Sequence, residues 1–395
     1  MKKICLWALI ATLSLGQLQR LQITPNIAGY VHEVFLALFA AASIRSLKID
    51  RRLALRAKAI FSNSSTWWIL WAVLLTIAAS IWNKDIVPVL YLARLGLIVG
   101  GVWGIYQQFQ ENHSYVKRTF LSLAVIWAGL GITQLAFIPD TRFLSAFGWD
   151  DHYYRLIGPL FDPGFMGMAF VLGILLAFSP KLVPDKRIQT ILVSLLTIAV
   201  ALTFSRASYG ALLLSLSGLF ILSRKYNSRT ILISVGMFFL VLAVVPKPGG
   251  EGVKLQRTST IIARGEQITA LTERLSLKTI IFGQGLFQIR QVTPQPGNSS
   301  FELPYHARIP DNIFVTVLQG TGLVGIALLT LSLKKSLRFF QRNPLTGIAL
   351  SALLFHSLFS NTLLQPFILI YFLAGFTFGI NSHAAHANKV QLSEL

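Results

Sequence analysis

Long apolar runs separated by short polar segments dominate the chain. A helix needs about 20 predominantly apolar residues to cross the hydrocarbon core of a bilayer. A window of that length selects twelve candidate spans, at residues 4–19, 27–46, 67–82, 86–107, 119–138, 163–179, 188–204, 208–223, 230–246, 311–333, 346–361 and 363–381. Several are short and the last two are almost contiguous. The pattern predicts an all-α polytopic membrane protein with about 12 transmembrane helices.

The composition excludes an ordinary soluble enzyme. Of the 395 residues, 54% are apolar and only 13% are charged, whereas a soluble globular protein carries about 25% charged residues. The single cysteine, Cys5, excludes a disulfide framework or a cysteine-based metal site within one chain. No second soluble domain is visible, so residues 1–395 are interpreted as one transmembrane domain.

The basic residues predict the sidedness of the spans. With the N-terminus inside, 21 of the 35 lysines and arginines fall in short cytoplasmic segments, which is the positive-inside pattern. This pattern explains most of the net charge of +20 without a nucleic-acid partner. The first span also has the form of a signal peptide, with a cleavage site near Gly16, but a retained helix is the favoured interpretation. Either choice leaves the other helices in the same orientation.

The longest outer loop, 247–310, lies between spans 9 and 10 and is expected to be partly helical. It carries eight basic and four acidic residues, and its helix-compatible stretch covers 255–281. On a helical wheel, Arg264 falls inside the apolar stripe of this stretch. One interpretation is an amphipathic helix anchored on the outer leaflet. The alternative is a cationic cover over a buried anionic ligand.

Two arginines interrupt apolar runs and therefore need a partner. Arg206 separates spans 7 and 8, and it either reaches the lipid headgroups or binds an anion, because a guanidinium group matches phosphate geometry. Arg94 lies within span 4, where a structural ion pair and a ligand are equally good interpretations.

Two carboxylate-containing segments are candidates for chemistry. Asp150-Asp151-His152 has ligand types that suit a divalent metal, although such a cluster is more often a solvated loop. Asp311 lies where the long outer loop re-enters the membrane. This carboxylate could cap the helix that follows, and capping would not exclude catalysis. Phosphate-loop, HExxH and GxSxG motifs are absent from the sequence.

Four short motifs together resemble the O-antigen ligase and O-antigen polymerase family of bacterial polytopic membrane proteins. They are the Gly-Pro-Leu-Phe-Asp-Pro-Gly loop at 158–164, the Ser205-Arg206 pair, Arg274 followed by Gly283-Gln284-Gly285, and Asp311-Asn312 followed by Gly322 and Gly325. The motifs cover about 160–330. Ligases of the family have histidine at the position of Asp311, whereas its polysaccharide polymerases often resemble the Asp-Asn form.

The resemblance implies a multi-pass protein of the bacterial inner membrane whose active site faces the periplasm. It implies polymerisation of oligosaccharide repeats carried on undecaprenyl diphosphate, for O-antigen or exopolysaccharide, by metal-independent, inverting glycosyl transfer without a cofactor. Asp311 would be the base, and Arg206 and Arg274 would bind the diphosphate. The other implied substrate-binding residues are Arg264, Arg290, Asn312, His306 and Ser205, with His306 the second candidate for the base.

The implied partners are the lipid-linked glycan donor, a glycan or lipid-linked acceptor, membrane lipids, and a chain-length regulator or flippase; no nucleic acid is expected. One alternative is a ligase that transfers the glycan to lipid A-core or another acceptor. An alternative of another class is a 12-span transporter, although transporters usually show repeated halves, and no internal repeat is visible here. A non-catalytic membrane assembly protein is the remaining alternative.

Overall fold

The computed structural model describes residues 1–24, 27–46, 64–222, 226–246, 253, 276–288 and 311–377. These residues are mostly helical. The helices are α1 (Lys2–Ser14), α2 (Val31–Ser46), α3 (Ser64–Asn83), α4 (Val87–Gln108), α5 (His113–Phe137), α6 (Pro163–Ala177), α7 (Lys186–Leu202), α8 (Arg206–Ile221), α9 (Ser228–Val244), α10 (Leu277–Phe282), α11 (Ile313–Arg342), α12 (Pro344–His356) and α13 (Pro366–Phe372). A π-helical turn, Leu373–Thr377, continues α13.

Each of the twelve candidate spans overlaps one of these helices, which confirms that the chain is mainly helical. Four helical segments are long and apolar enough to cross a membrane: Thr66–Asn83, Val87–Gln108, His113–Phe137 and Ile313–Ser332. Six further apolar helices have 10–17 residues, so they reach at most about 26 Å at 1.5 Å per residue. The hydrocarbon core is about 30 Å thick. The helices therefore suit a membrane, whereas twelve complete crossings stay a prediction.

A β-hairpin makes the all-α prediction incomplete. Strand β1 (Arg20–Thr24) pairs antiparallel with strand β2 (Ile27–Tyr30), immediately before α2. The predicted span 27–46 therefore begins as a strand. Apolar Leu21 and Ile23 alternate with polar neighbours, which is a strand pattern. A 20-residue window averages the apolar content over a stretch much longer than this five-residue strand, so it does not detect the alternation.

Helix α6 forms the centre of the bundle. Nearly every residue from Met166 to Ala177 is buried, which is expected of a helix that is apolar on all sides. It packs against α5, α7, α8 and α12. The rings of Trp127 and Tyr371 lie 5.9 Å apart in the same core. This central position means that the residues at the start of α6 are enclosed by neighbouring helices.

Helix ends that the basic clusters assign to one side of the membrane contact one another. Arg118, at the start of α5, donates from Nε to the carbonyl of Leu182, which precedes α7, at 3.2 Å. Past the other end of α5, Arg155 donates from Nε to the carbonyl of Thr203, which follows α7, at 3.0 Å. Helices α5 and α7 therefore have their predicted inner ends together and their predicted outer ends together.

Cysteine labelling should reveal which end of the bundle faces outward. In a chain carrying Cys5→Ala, we expect Ser145→Cys to react with a membrane-impermeant thiol reagent in cells with a permeabilised outer membrane. Lys181→Cys should react only after the inner membrane is opened. Both positions are exposed, so a difference in reactivity reports sidedness and not burial. Labelling at 181 with protection at 145 would contradict the proposed orientation.

Candidate functional site

The Ser205-Arg206 pair forms the start of α8. Ser205 is the N-cap: its Oγ accepts the backbone N–H of Ser208 at 3.4 Å. Phe204, directly before the cap, has a φ of 49°, a conformation that costs a non-glycine residue about 1–3 kcal/mol and that is frequent at functional sites. Arg206 is the first helical residue and is half-buried. Arg206 therefore lies at the positive end of the α8 dipole, and this end of a helix favours anions.

A second turn of the same form leads into α6. Phe161 has a φ of 57°, and the following Asp162 caps α6 by accepting the backbone N–H of Phe165 at 2.7 Å. Burial raises the pKa of the Asp162 carboxyl above its ordinary value, although this N–H bond and the charge of Arg155 oppose the shift. Asp162 belongs to the 158–164 motif, but the sequence alone indicates no chemical role for its carboxyl group. A carboxyl group with a raised pKa is better suited to accept protons near neutral pH.

Arg155 binds the turn before Ser205, and its charge acts on Asp162 in the other turn. Its side chain is only 7% exposed, and it donates to the carbonyl of Thr203 from Nε and to the carbonyl of Phe204 from a terminal nitrogen, the latter at 3.3 Å. The arginine therefore supports the strained turn before Ser205. Arg155 lies in none of the sequence motifs, and its position after the polar residues 150–152 gives no signal comparable to that of Arg206.

Gly164 lies where Asp162, Ser205 and His356 meet. A methyl group added at Gly164 would lie 3.1 Å from Asp162 Oδ1 and 3.6 Å from both Ser205 Oγ and His356 Cε1. Ser208 Oγ lies 3.0 Å from His356 Nε2 and 2.9 Å from Ser205 Oγ. The glycine of the 158–164 motif thus allows three polar side chains from three helix ends to come close together.

The Asp311-Asn312 pair begins α11, and the asparagine is the residue that caps it. Asn312 Oδ1 accepts the backbone N–H groups of Phe314 at 2.9 Å and Val315 at 3.3 Å. The Asp311 side chain is exposed. The structure therefore assigns the cap to Asn312 and not to Asp311.

The two glycine motifs lie against each other. Gln284 N–H donates to the carbonyl of Gln319 at 3.0 Å, and Gly285 N–H donates to the carbonyl of Gly320 at 2.9 Å. Helix α11 is interrupted at Gly322, where φ is 66° and ψ is −174°. Each glycine motif alone is a weak signal in the sequence. Together they form a backbone-to-backbone junction.

This junction packs residues 276–288 against α11. Gly320, one of its acceptors, follows the start of α11 by seven residues, about 10 Å along the axis at the rise of a helix. The same segment also contacts α3, because Leu286 N–H donates to Thr76 Oγ1 at 2.8 Å. Residues 276–288 therefore lie between α3 and α11.

Asp150, His152 and Asp162 are the described side chains that could hold a metal ion, with ligand atoms within 4.8 Å of one another. The sequence predicts Asp151 as a member of this cluster, whereas in the structure Asp162 is the third member. His152 is buried and Asp150 is exposed. Asp162 already accepts a backbone N–H, and the positive charge of Arg155 acts on the same carboxylate. The positive charge of Arg155 disfavours a cation at this carboxylate.

The structure decides between the two interpretations of Arg94. Its Nε lies 2.5 Å from Glu33 Oε1, and its guanidinium group stacks over the rings of Tyr30 and Tyr91. It also donates to the carbonyl of Ala28. Arg94 is therefore a structural residue that connects α4 to the β-hairpin and the first turn of α2.

The other predicted site residues lie outside the described part of the chain. They are Arg264, Arg274, Arg290 and His306. Arg274 and Arg290 flank the described segment 276–288 in sequence, two residues from either end.

Comparison with protein-family models found no matching model, and a search of curated proteins found no matching sequence. The resemblance to the O-antigen ligase and polymerase family consequently depends on the sequence motifs and the predicted spans.

Proposed function

We propose that the chain is a glycosyltransferase that polymerises oligosaccharide repeats carried on undecaprenyl diphosphate, at the periplasmic face of the bacterial inner membrane. One observation carries this proposal: the starts of α8 and α11, which hold the Ser205-Arg206 and Asp311-Asn312 motifs, are joined through the end of α12. Ser208 contacts His356, and Ile313 N–H donates to the carbonyl of the next residue, Ser357, at 3.0 Å.

The proposed reaction needs an anion site beside a proton acceptor. A hydroxyl oxygen of the acceptor sugar attacks the anomeric carbon of the donor sugar, the carbon–oxygen bond to the diphosphate breaks, and the carrier diphosphate leaves with the bonding electrons. Arg206 at the positive end of α8, with Arg274 from the loop, would stabilise the charge of the leaving group. Asp311 would accept the proton of the attacking hydroxyl group.

The remaining residues of the predicted site would bind substrate. Arg264 and Arg290 extend the cationic character of the loop, and His306 is the second candidate for the base. Ser205 and Asn312 cap α8 and α11, so they orient Arg206 and Asp311. Because a lipid diphosphate is already a good leaving group, the proposal requires no nucleotide, metal or other cofactor.

The exposed position of Asp311 is compatible with a large acceptor. A growing glycan or a lipid-linked acceptor must approach from outside the bundle, and an exposed carboxylate at a helix start is accessible to it. The same feature would serve a ligase that transfers to lipid A-core. The Asp-Asn form of the motif favours the polymerase, since the ligases of the family resemble a histidine form.

Surface glycan from a deletion strain tests the proposal. Loss of long glycan chains, with single-repeat products retained, is the expected result; intact polymer left on the carrier lipid would indicate a ligase. The wild-type gene should restore the chains, and Arg206→Lys should not, because lysine keeps the charge but loses the two-pronged geometry of arginine. Arg229→Lys, at an exposed position in the first turn of α9, is the matched control and should restore them. Unchanged glycan in the deletion strain would contradict the function.

A further inference from the structure

The end of α12 carries a histidine, His356, that has no role in the proposed reaction as described above. His356 is fully buried. Its Nε2 lies 3.0 Å from Ser208 Oγ on α8, and its Nδ1 lies 2.6 Å from Thr362 Oγ1 in the turn that follows α12. Both hydroxyl groups can donate or accept, so either tautomer of a neutral imidazole is satisfied. The ring therefore bridges α8 to the 356–362 turn.

The residue next to this histidine contacts the other motif. The carbonyl of Ser357 accepts the backbone N–H of Ile313, the first residue of α11. Ser357 Oγ also accepts the N–H of Leu363 at 3.1 Å, which fixes the turn from a second direction. Two consecutive residues thus hold α8 through a side chain and α11 through a carbonyl group.

We infer that His356 is a positioning residue for the proposed glycosyl transfer: through Ser208 it sets the N-terminus of α8, and with it Arg206, relative to the Asp311-Asn312 motif. This inference rests on the proposed function. Ser208 lies two residues after Arg206, in the first turn of the same helix, so a shift of Ser208 moves the guanidinium group. A displacement of about 1 Å between reacting groups can reduce a rate about 100-fold.

The hydrogen bonds near Ser208 explain why the histidine is needed. Ser208 Oγ also lies 2.9 Å from Ser205 Oγ and 3.2 Å from the carbonyl of Gly164. These partners satisfy the hydroxyl group but connect α8 only to its own cap and to α6. Among the described hydrogen bonds of this hydroxyl group, the one to His356 is the one that reaches α12, and through α12 the start of α11. Without the imidazole, α8 should remain folded, but its N-terminus should shift relative to the start of α11.

Three substitutions at His356 separate positioning from a general structural role. The amide of glutamine can reach the place of Nε2 and bond to Ser208, whereas the amide of asparagine can reach the place of Nδ1 and bond to Thr362. Phenylalanine fills the volume and makes neither bond. In purified protein that transfers lipid-linked repeats, we expect His356→Phe to lower kcat at least about tenfold. His356→Gln should recover most of the rate, and His356→Asn should stay close to the phenylalanine variant.

Stability and a matched control complete the test. Glutamine and asparagine each keep one buried hydrogen bond, so a merely structural histidine predicts similar unfolding midpoints and similar rates for the two variants. Equal rates for these two proteins would overturn the inference, and this comparison stands even where His356→Phe does not fold. Ser215→Ala removes a buried hydroxyl group from α8 whose hydrogen bond among the described residues lies within its own helix, to the carbonyl of Ala211 at 2.8 Å. The rate of this variant should match the wild type.

The double variant Ser208→Ala/His356→Phe should be no slower than the slower single variant, because both changes remove the same connection. Additive losses would contradict the inference. Absence of transfer by the wild-type protein would instead contradict the proposed function, so the two failures are distinguishable.

Discussion

Transfer of lipid-linked repeats should fall at least about 100-fold in the Asp311→Asn protein, because general-base catalysis contributes a factor of that order or more. The structure indicates that this substitution should not disturb the fold. Asn312 and not Asp311 caps α11, and the Asp311 side chain is exposed, so loss of the carboxylate should leave the helix start and the amount of folded protein unchanged. The measurement is the initial rate in membranes that contain equal amounts of the two proteins.

Asp162→Asn is the informative comparison for this experiment. Asparagine caps helices about as well as aspartate, so the start of α6 should survive. If Asp311 is the base, Asp162→Asn should retain most of the activity. A large loss for Asp162→Asn, with near-normal transfer by Asp311→Asn, would give the proton-accepting role to Asp162. Near-normal Asp311→Asn with inactive His306→Ala would give it to His306.

The acid side of the pH–rate profile distinguishes the two carboxyl groups independently. A base acts only when deprotonated, so the rate falls as the pH drops through its pKa. Burial raises the pKa of Asp162. If Asp162 is the base, the rate should therefore begin to fall at a pH above the ordinary range of an aspartate, and Asp311→Asn should not move this limb.

The helices were predictable from the sequence because each is indicated by the apolar content of its own segment. The segment that forms α6 is apolar on all sides, and the structure places it at the centre of the bundle. The hairpin of β1 and β2 was not predictable in the same way. Its signal is an alternation over five residues, and Arg94, which donates to the carbonyl of Ala28 in β2, lies 66 residues away.

The site was only partly predictable because its contacts join distant segments. Ser205 and Asn312 belong to recognisable motifs, and both are found at helix starts. His356 and Arg155 lie in no motif, and their partners, Ser208 and Thr203, are far away in the chain. One signal was available: an ionisable residue within an apolar span is costly and usually functional. That argument was applied to Arg206 and applies equally to His356, which follows Leu353 and Phe355.

The glycine junction is the clearest case of a contact that no single motif indicates. Gly283 and Gly322 were each weak signals in the sequence. In the structure, a methyl group added at Gly322 would lie 2.5 Å from the backbone nitrogen of Gly283, and one at Gly283 would lie 2.5 Å from the carbonyl oxygen of Gly320. The neighbours are backbone atoms and cannot rotate away. Each glycine thus provides the space that the other segment occupies.

Gly322→Ala should therefore destabilise the protein by about 2–6 kcal/mol, the sum of an unfavourable positive φ and a steric overlap of this kind. The segment 276–288 would separate from α11, and Arg274, two residues before this segment in the sequence, should be displaced with it. We expect the purified variant to lose transfer and to have a lower unfolding midpoint. The unfolding is measured by tryptophan fluorescence. Trp71, whose Nε1 donates to the carbonyl of Thr321 at 3.0 Å, lies at the junction and contributes to the signal.

Gly236→Ala is the matched control for this experiment, since it places the same methyl group on α9 with no atom within 4 Å. Alanine is the better helix former by about 1 kcal/mol, so this variant should unfold at the same temperature as the wild type or slightly above it. Gly283→Ala should behave like Gly322→Ala, because the two changes fill one junction from opposite sides. A wild-type unfolding midpoint and wild-type transfer for Gly322→Ala would show that the contact between residues 276–288 and α11 is not needed. The loop would then have to hold Arg274 at the diphosphate by other contacts.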